Sequence, residues 1–319
     1  MLDLRTCVPA DFEGMAGVWN ATFAGGPNFV RVSQGDLLRR VIDRPSFDPS
    51  NLLVAVRTGE VVGFVHFGFR SNLWSDLRER RLDHTEGHIY ALVAPDPERS
   101  LMEYLFEGAI DRLAQGGAER VLLGPSWVHG TQPFYNGIAG GYEMPGLDPT
   151  RRELARLAGA RSFAPLAHYA TPELNLGCRD HVASLQAQGD ELMERARGWG
   201  LRRRLVTLDA TFFPRRRAVL LARGSQTVAM TAYGLWQEYA REYGRSLFGI
   251  TSVQVAQEWR GKGLGKLIMI LAMEAAMGAG AEGLHLHVSR ENRLAWRLYH
   301  EALGFQPKWT WLTLARPLV

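Results

Sequence analysis

Cysteine is nearly absent from this chain: its 319 residues include two, Cys7 and Cys178. Two thiols cannot build a disulfide framework or a tetrahedral zinc site, and neither lies in a Cys-x-x-Cys pair. No metal site is expected. Lysine is almost as scarce. Only Lys262, Lys266 and Lys308 occur, so arginine supplies nearly all of the 37 basic residues behind the formal charge of +4. The runs Arg202-Arg203-Arg204 and Arg215-Arg216-Arg217 contain no aromatic stacking residue and fit no DNA-binding pattern. They read as a solvated edge, and no nucleic-acid partner is expected. Long apolar runs are missing too. The longest, Leu267–Ala281, holds Glu274 and two glycines and falls short of the ~20 residues of a membrane span. Met1–Arg5 shows no basic stretch followed by an apolar one, so no secretory leader is expected. The expectation is a soluble, cytoplasmic protein without a membrane segment.

What is present is ordinary globular material. Hydrophobic residues make up 46% and charged residues 22%, which excludes global disorder. The length leaves room for two domains, and an internal repeat supplies them. Asn51–Arg57 and Arg217–Arg223 are apolar, β-leaning runs that end in arginine. Each meets a turn, Thr58-Gly59-Glu60 or Gly224-Ser225-Gln226, and resumes as a strand, so each reads as a hairpin. A further strand follows, ending at Val93-Ala94 or Val255-Ala256. Then come a helix near Ser100–Gln115 or Gly263–Gly278 and a short strand, Arg120–Leu123 or Leu284–Val288. The copies close on Leu157–Ala160 and Ala302–Phe305 and end at Thr171–Leu174 and Ala315–Leu318. Each half is expected to run strand, helices, three strands, helix, strand, helix, strand. That order belongs to the α/β class, with a mixed sheet covered by helices. The expected domains are 1–174 and 175–319, with a broken helical stripe over Asp180–Arg197.

The segment Val253–Lys266 carries the most chemical information. A β-run ends at Ala256, a glycine-rich turn follows, and a helix opens on Leu267, Ile268, Ile270 and Leu271. Gly261, Gly263 and Gly265 let backbone N–H groups face a ligand without an intervening Cβ. The positive end of the helix faces the same space. Arg260, Lys262 and Lys266 add charge beside it. This is a competent diphosphate cradle. It is neither the GxGxxG of a dinucleotide fold nor the GxxxxGK[ST] of a nucleotide hydrolase.

Val255-x-x-x-Trp259-Arg260-Gly261-x-Gly263-Leu264-Gly265 resembles the acyl-CoA loop of the Gcn5-related N-acetyltransferase (GNAT) superfamily. A second stretch, Asn292-x-x-Ala295-x-x-Leu298-Tyr299 followed by Gly304-Phe305, resembles that family's next helix and turn. It departs by one residue, because Tyr299 is followed by four residues before Gly304. The tandem arrangement resembles mycothiol synthases and other two-copy members. The resemblance implies two tandem GNAT-like domains, each a mixed, mostly antiparallel sheet flanked by helices. It also implies acetyl-CoA as co-substrate and transfer of its acetyl group to a primary amine by direct attack in a ternary complex. The acceptor would be a small molecule. On this reading Val253 and Val255 pair with the pantetheine arm and Arg260, Gly261, Lys262, Gly263, Leu264, Gly265 and Lys266 hold the diphosphate. Asn292 bonds the cofactor arm, and Tyr299 protonates the departing thiolate. A phenol, at about 10, is a weaker acid than a thiol, at about 8.5, so its position must do most of the work.

The proton acceptor stays open. His285 and His287 alternate with Leu284, Leu286 and Val288, which places both imidazoles on one strand face. His287 is the preferred base. Glu238 and Glu242 lie in a polar segment, Trp236–Arg245, expected to be a hairpin tip. In the first copy the glycines of the loop are replaced by Pro95–Glu103, with Asp96, Glu98 and Glu103. These would repel a diphosphate, so the first copy is expected to be degenerate and non-catalytic. Its insert, Val128–Pro149, is rich in glycine and aromatic residues and is expected to be a locally packed loop or to help form the acceptor pocket. An alternative from another class is an acyl-CoA-binding regulatory module without turnover.

Overall fold

The computed structural model describes every residue except Met1, Pro45, 72–81, 96–98, 126–133, 144–145, Pro149, 211–212 and Val319. The first repeat runs β1 (Leu2–Thr6), α1 (Phe12–Phe23), α2 (Gln34–Leu37), β2 (Leu52–Arg57), β3 (Glu60–Ser71), β4 (Leu82–Val93), α3 (Arg99–Gln115), β5 (Arg120–Leu123), α4 (Arg152–Ala160) and β6 (Ala164–Asn175). The second runs α5 (Arg179–Gly198), β7 (Arg202–Ala210), β8 (Phe213–Arg223), β9 (Gln226–Leu235), α6 (Gln237–Tyr243), β10 (Leu247–Val255), α7 (Leu264–Met277), β11 (Gly283–His285), β12 (Val288–Ser289), α8 (Arg293–Trp296) and β13 (Gln306–Pro317).

Two compact units result: Met1–Tyr169 with Thr310–Val319, and Ala170–Trp309. Where the sequence placed one boundary after residue 174, the chain thus divides at two points. The first unit's sheet has the order β1-β2-β3-β4-β5-β13, antiparallel except for the parallel β4–β5 pair. The second unit's sheet has the order β7-β8-β9-β10-β11-β6, antiparallel except for β10–β11. The strand plan is therefore the same in both. Each sheet is closed by the strand that ends the other repeat in sequence. Leu123 pairs with Leu314, and Leu284 pairs with Leu174. A short strand such as β5 or β11 would otherwise expose a row of unpaired N–H and C=O groups.

Helices cover these sheets because their apolar faces demand it. Leu101, Met102, Leu105, Phe106 and Ala109 of α3 are buried in the first unit's core. Leu267, Ile268, Leu271 and Ala272 of α7 are buried in the second, with Val182 and Leu185 of α5. Gly189, which breaks the helical pattern in sequence, is needed for this packing. A Cβ there would stand 2.7 Å from Ile270 Cγ2.

The second unit differs from the expected order in three places. Its long helix, α5, precedes the first strand, and β7 continues to β8 without helices between them. The segment read as a hairpin at Trp236–Arg245 is the helix α6, closed by Gly244 in the left-handed conformation at φ 66°. The strand read as Leu284–Val288 breaks after His285 and resumes as β12, which pairs with β6. The described part of the first unit's insert is packed into that unit. Tyr135 stacks on Trp19 at 5.2 Å between centroids, and its hydroxyl meets His66 Nδ1 at 3.1 Å. The remainder of the insert, and Asp96 and Glu98, lie outside the described residues.

A chain ending at Trp309 would lose β13's pairing with β5 and the buried Trp311 and Leu314. Scanning calorimetry of that truncation is expected to show the loss of a cooperative transition, with the first unit's near-ultraviolet dichroism abolished.

Candidate functional site

The site starts from a parting of two strands in the second unit. β10 and β11 pair only over Leu247–Gly249 and Gly283–His285. Beyond that, β11's continuation turns to β6, with the Leu286 N–H donating to Pro172 O at 3.3 Å. β10 bends the other way. Thr251 pairs with Ala232 but Gln254 with Met230, so β10 carries one extra residue. Ser252 absorbs the bulge at φ 56°. Thr231 Oγ1 donates to Thr251 O at 3.2 Å across it. Among the described residues no strand pairs β10's far edge after Gly249. An extended ligand could add itself there as a strand.

The fork opens into a cleft of about 750 Å³ lined by Val253, Val255, Trp259, Gly261, Asn292 and Tyr299, with Arg260, Gly263, Leu264 and Gly265 at the same wall. Its end is the turn into α7. Gly261 and Gly263 take φ of 76° and 80°, which favours glycine. A Cβ on Gly263 would stand 2.9 Å from Leu192 Cδ2. The first bond of the helix end runs from the Leu267 N–H to Gly263 O at 3.0 Å. The N–H groups of Leu264, Gly265 and Lys266 are thus the unpaired donors of a helix start. They and the helix dipole make a place for an anion.

The charged residues expected here are placed unequally. Arg260 lines the cleft, and its Nε donates to Val255 O at 3.2 Å. Lys262 turns its ammonium over the Trp259 ring at 4.5 Å and the Trp199 ring at 5.9 Å. Lys266 donates to Gln188 Oε1. Both lysines therefore contribute field rather than direct lining. Asn292 caps α8, accepting from the Ala295 N–H at 3.1 Å through Oδ1. Tyr299 is buried at the cleft wall, inside a π-helical turn over Arg297–Ala302. That wider turn absorbs the one residue by which the sequence departs from the family spacing. Gly304 closes it at φ 77°, where a Cβ would stand 2.5 Å from His181 Nε2.

The two histidines come together across the break after His285. Their Nε2 atoms lie 3.2 Å apart, and His287 Nδ1 lies 2.8 Å from Thr171 Oγ1. His285 is fully buried beside Trp236, 5.0 Å between centroids. Burial, with a smaller push from His287, holds it neutral well below the usual imidazole range. His287 is half-buried and does not line the cleft. Glu238 is buried on α6 and Glu242 is exposed. Sequence reasoning missed Glu173, a half-buried carboxylate on β6 directly opposite His285.

The first unit repeats the fork around a smaller cavity of about 70 Å³, lined by Tyr90, Leu92, Gly124, Tyr135 and Arg151. β4 and β5 pair over Glu86–Ile89 and Arg120–Leu123 and then part. Arg151, at the N-cap of α4 where the second unit has Asn292 at that of α8, lines this cavity. Its Nη1 donates to Leu92 O at 2.6 Å and its Nη2 to Ala94 O at 3.1 Å. These are the carbonyls that correspond to the open edge of β10. Nothing in the sequence singled out Arg151.

Residues 202–305 match the model of the acetyltransferase (GNAT) family. The chain is similar to a mycothiol acetyltransferase of Corynebacterium efficiens, 28% identical over 251 residues, which is 72% of this chain and 80% of that one. A tandem GNAT protein from the clavulanic acid biosynthesis pathway, solved without AcCoA, shares the fold with a TM-score of 0.66. It is 14% identical and the match covers 99% of this chain and 98% of that one. A GCN5-related N-acetyltransferase from Sphaerobacter thermophilus matches with a TM-score of 0.59 at 15% identity, covering 99% and 95%. The fold is thus a tandem of GNAT-like units.

The neutral burial of His285 has a pH signature. An unfolded imidazole takes a proton near 6.5, which the folded one resists. This contribution to stability is present above about 6.5 and is lost progressively as pH falls from there toward the lower range of the folded imidazole. Urea unfolding at pH 7.5 and 5.0 is expected to show a smaller acid loss for His285→Gln than for the parent chain.

Proposed function

We propose, from the premise that residues 202–305 form a domain of the GNAT acetyltransferase family, that the second unit binds acetyl-CoA and transfers its acetyl group to a primary amine. The observation that carries this reading is the open edge of β10 running straight to the unpaired N–H groups of α7. An extended amide-bearing arm fits the first and a diphosphate the second. The backbone of Val253 and Val255 would hold the arm. Gly261, Gly263, Leu264 and Gly265 would hold the diphosphate, with Arg260, Lys262 and Lys266 supplying positive field. Asn292 has its Oδ1 committed to the cap, which leaves its amide donor for the arm.

The amine attacks the thioester carbonyl directly, and CoA leaves as a thiolate. Tyr299, buried against the cleft, is assigned to protonate it. His287 is assigned to the proton-accepting side. Taking a proton turns both of its ring nitrogens into donors, and Thr171 Oγ1 and the neutral His285 Nε2 stand in position to accept. The first unit, with Arg151 across its fork, is assigned no catalytic role. The acceptor is a small molecule in this reading, and the compartment is the cytoplasm. Among the described residues no group of three metal-ligating side chains occurs and no helix is long and apolar enough to cross a membrane.

Titration calorimetry is expected to give one acetyl-CoA per chain. Gly265→Val, whose branches would meet Leu298 and Val255, is expected to weaken binding at least about tenfold, or about 1.4 kcal/mol. Tyr299→Phe separates an enzyme from a binding module. Turnover falling about 100-fold with acetyl-CoA affinity unchanged supports the enzyme. Unchanged turnover would remove Tyr299 from the chemistry.

A further inference from the structure

Thr231 is a polar side chain at an apolar position beside the fork. It is fully buried on β9. Ala229 and Tyr233, two residues away on the same strand face, belong to the second unit's core. Val219, also in that core, stands opposite it on β8. Packing alone would favour valine here, which has nearly the same shape and no hydroxyl to satisfy. The register accounts for the hydroxyl. Thr251 pairs with Ala232 and Gln254 with Met230, so Ser252 and Val253 of β10 together face the single residue Thr231. Thr251 is itself buried, and its carbonyl accepts from Thr231 Oγ1 at 3.2 Å. Ser252 holds a left-handed conformation at φ 56°, which is unfavourable for a residue with a Cβ. A straightened β10 would escape that cost. It would also slip Val253–Val255 by one place, exchanging the backbone groups that face β9 with those that face the cleft.

We infer that Thr231 is a positioning residue for the pantetheine arm: by satisfying Thr251 O, its hydroxyl holds the β10 bulge and keeps the edge at Val253 and Val255 in the register that a ligand can pair with. The inference rests on the acetyl-CoA reading above. Thr231 is not among the residues that line the cleft, so it acts through Thr251. Without the hydroxyl, the buried carbonyl loses a partner and the bulged strand competes with a straighter one. Affinity for an arm-bearing ligand then falls with the fraction of chains that keep the bulge. The diphosphate cradle lies beyond the bulge, on the turn into α7, and is spared.

The test measures, by titration calorimetry of the full chain, binding of acetyl-CoA and of ADP, which carries a diphosphate but no arm. Thr231→Val is expected to weaken acetyl-CoA about tenfold, with ADP affinity unchanged. Thr231→Ser keeps the hydroxyl and is expected to stay within about threefold of the parent for both ligands. Ser252→Val attacks the same bulge from the other strand, because a β-branched residue resists a positive φ. It is expected to show the same selective loss, and it carries the test if Thr231→Val does not fold. Adding Ser252→Gly to Thr231→Val is expected to recover most of the lost affinity, since glycine takes that φ freely. Parent-like acetyl-CoA binding by Thr231→Val or Ser252→Val would overturn the inference. So would equal weakening of acetyl-CoA and ADP, which marks a general loss of structure. Failure of the parent chain to bind acetyl-CoA or ADP would instead bring down the acetyl-CoA reading beneath it.

Discussion

The parting of β10 from β11 after three residue pairs is the constraint on which the site depends. A parallel pair that stayed zipped would leave no backbone edge for a ligand and no route to the start of α7. Two local features keep it open. The bulge at Ser252 bends β10 away, and the break after His285 lets the chain turn to β6. The glycine turn then sets unpaired helix donors at the end of the open edge, while Asn292 and Tyr299 line its side. The first unit forms the same fork from the same strand plan. There a guanidinium at the N-cap of α4 bonds the carbonyls of Leu92 and Ala94. The first unit's fork keeps a cavity of about 70 Å³ against about 750 Å³ in the second.

The exchange of closing strands gives the repeat a second meaning. β6 ends the first repeat and closes the second unit's sheet, while β13 does the converse. The edge of β11 is then not merely protected. It is lined by Thr171 and Glu173, whose side chains share a face with His285 and His287. The first repeat contributes to the second unit through the strand it donates.

Much of this was legible in the sequence. The paired hairpins, the helices at Arg99–Gln115 and Leu264–Met277 and the glycine turn follow from apolar periodicity and from the positive φ that glycine permits. The alternation of His285 and His287 placed both imidazoles on one face. Other features carry no local signal. The exchange of β6 and β13 cannot be seen because both are apolar strands that would suit either sheet. α6 looked like a turn because Gln237–Tyr243 is short and polar, and its Tyr239 and Trp236 become anchors only once the sheet is built. Arg151 looks like one of many arginines until its guanidinium reaches the carbonyls of β4. The extra residue after Tyr299 looked like a departure from the motif. It is the residue that a π turn inserts.

The central claim is that one fork binds acetyl-CoA and the other cannot. Hydrogen exchange of the full chain, with and without saturating acetyl-CoA, tests it residue by residue. The account predicts slowed exchange across Val253–Val255 and Gly261–Lys266, with Ala91–Ala94 unchanged. Protection at Ala91–Ala94, or none at Val253–Val255, would contradict it.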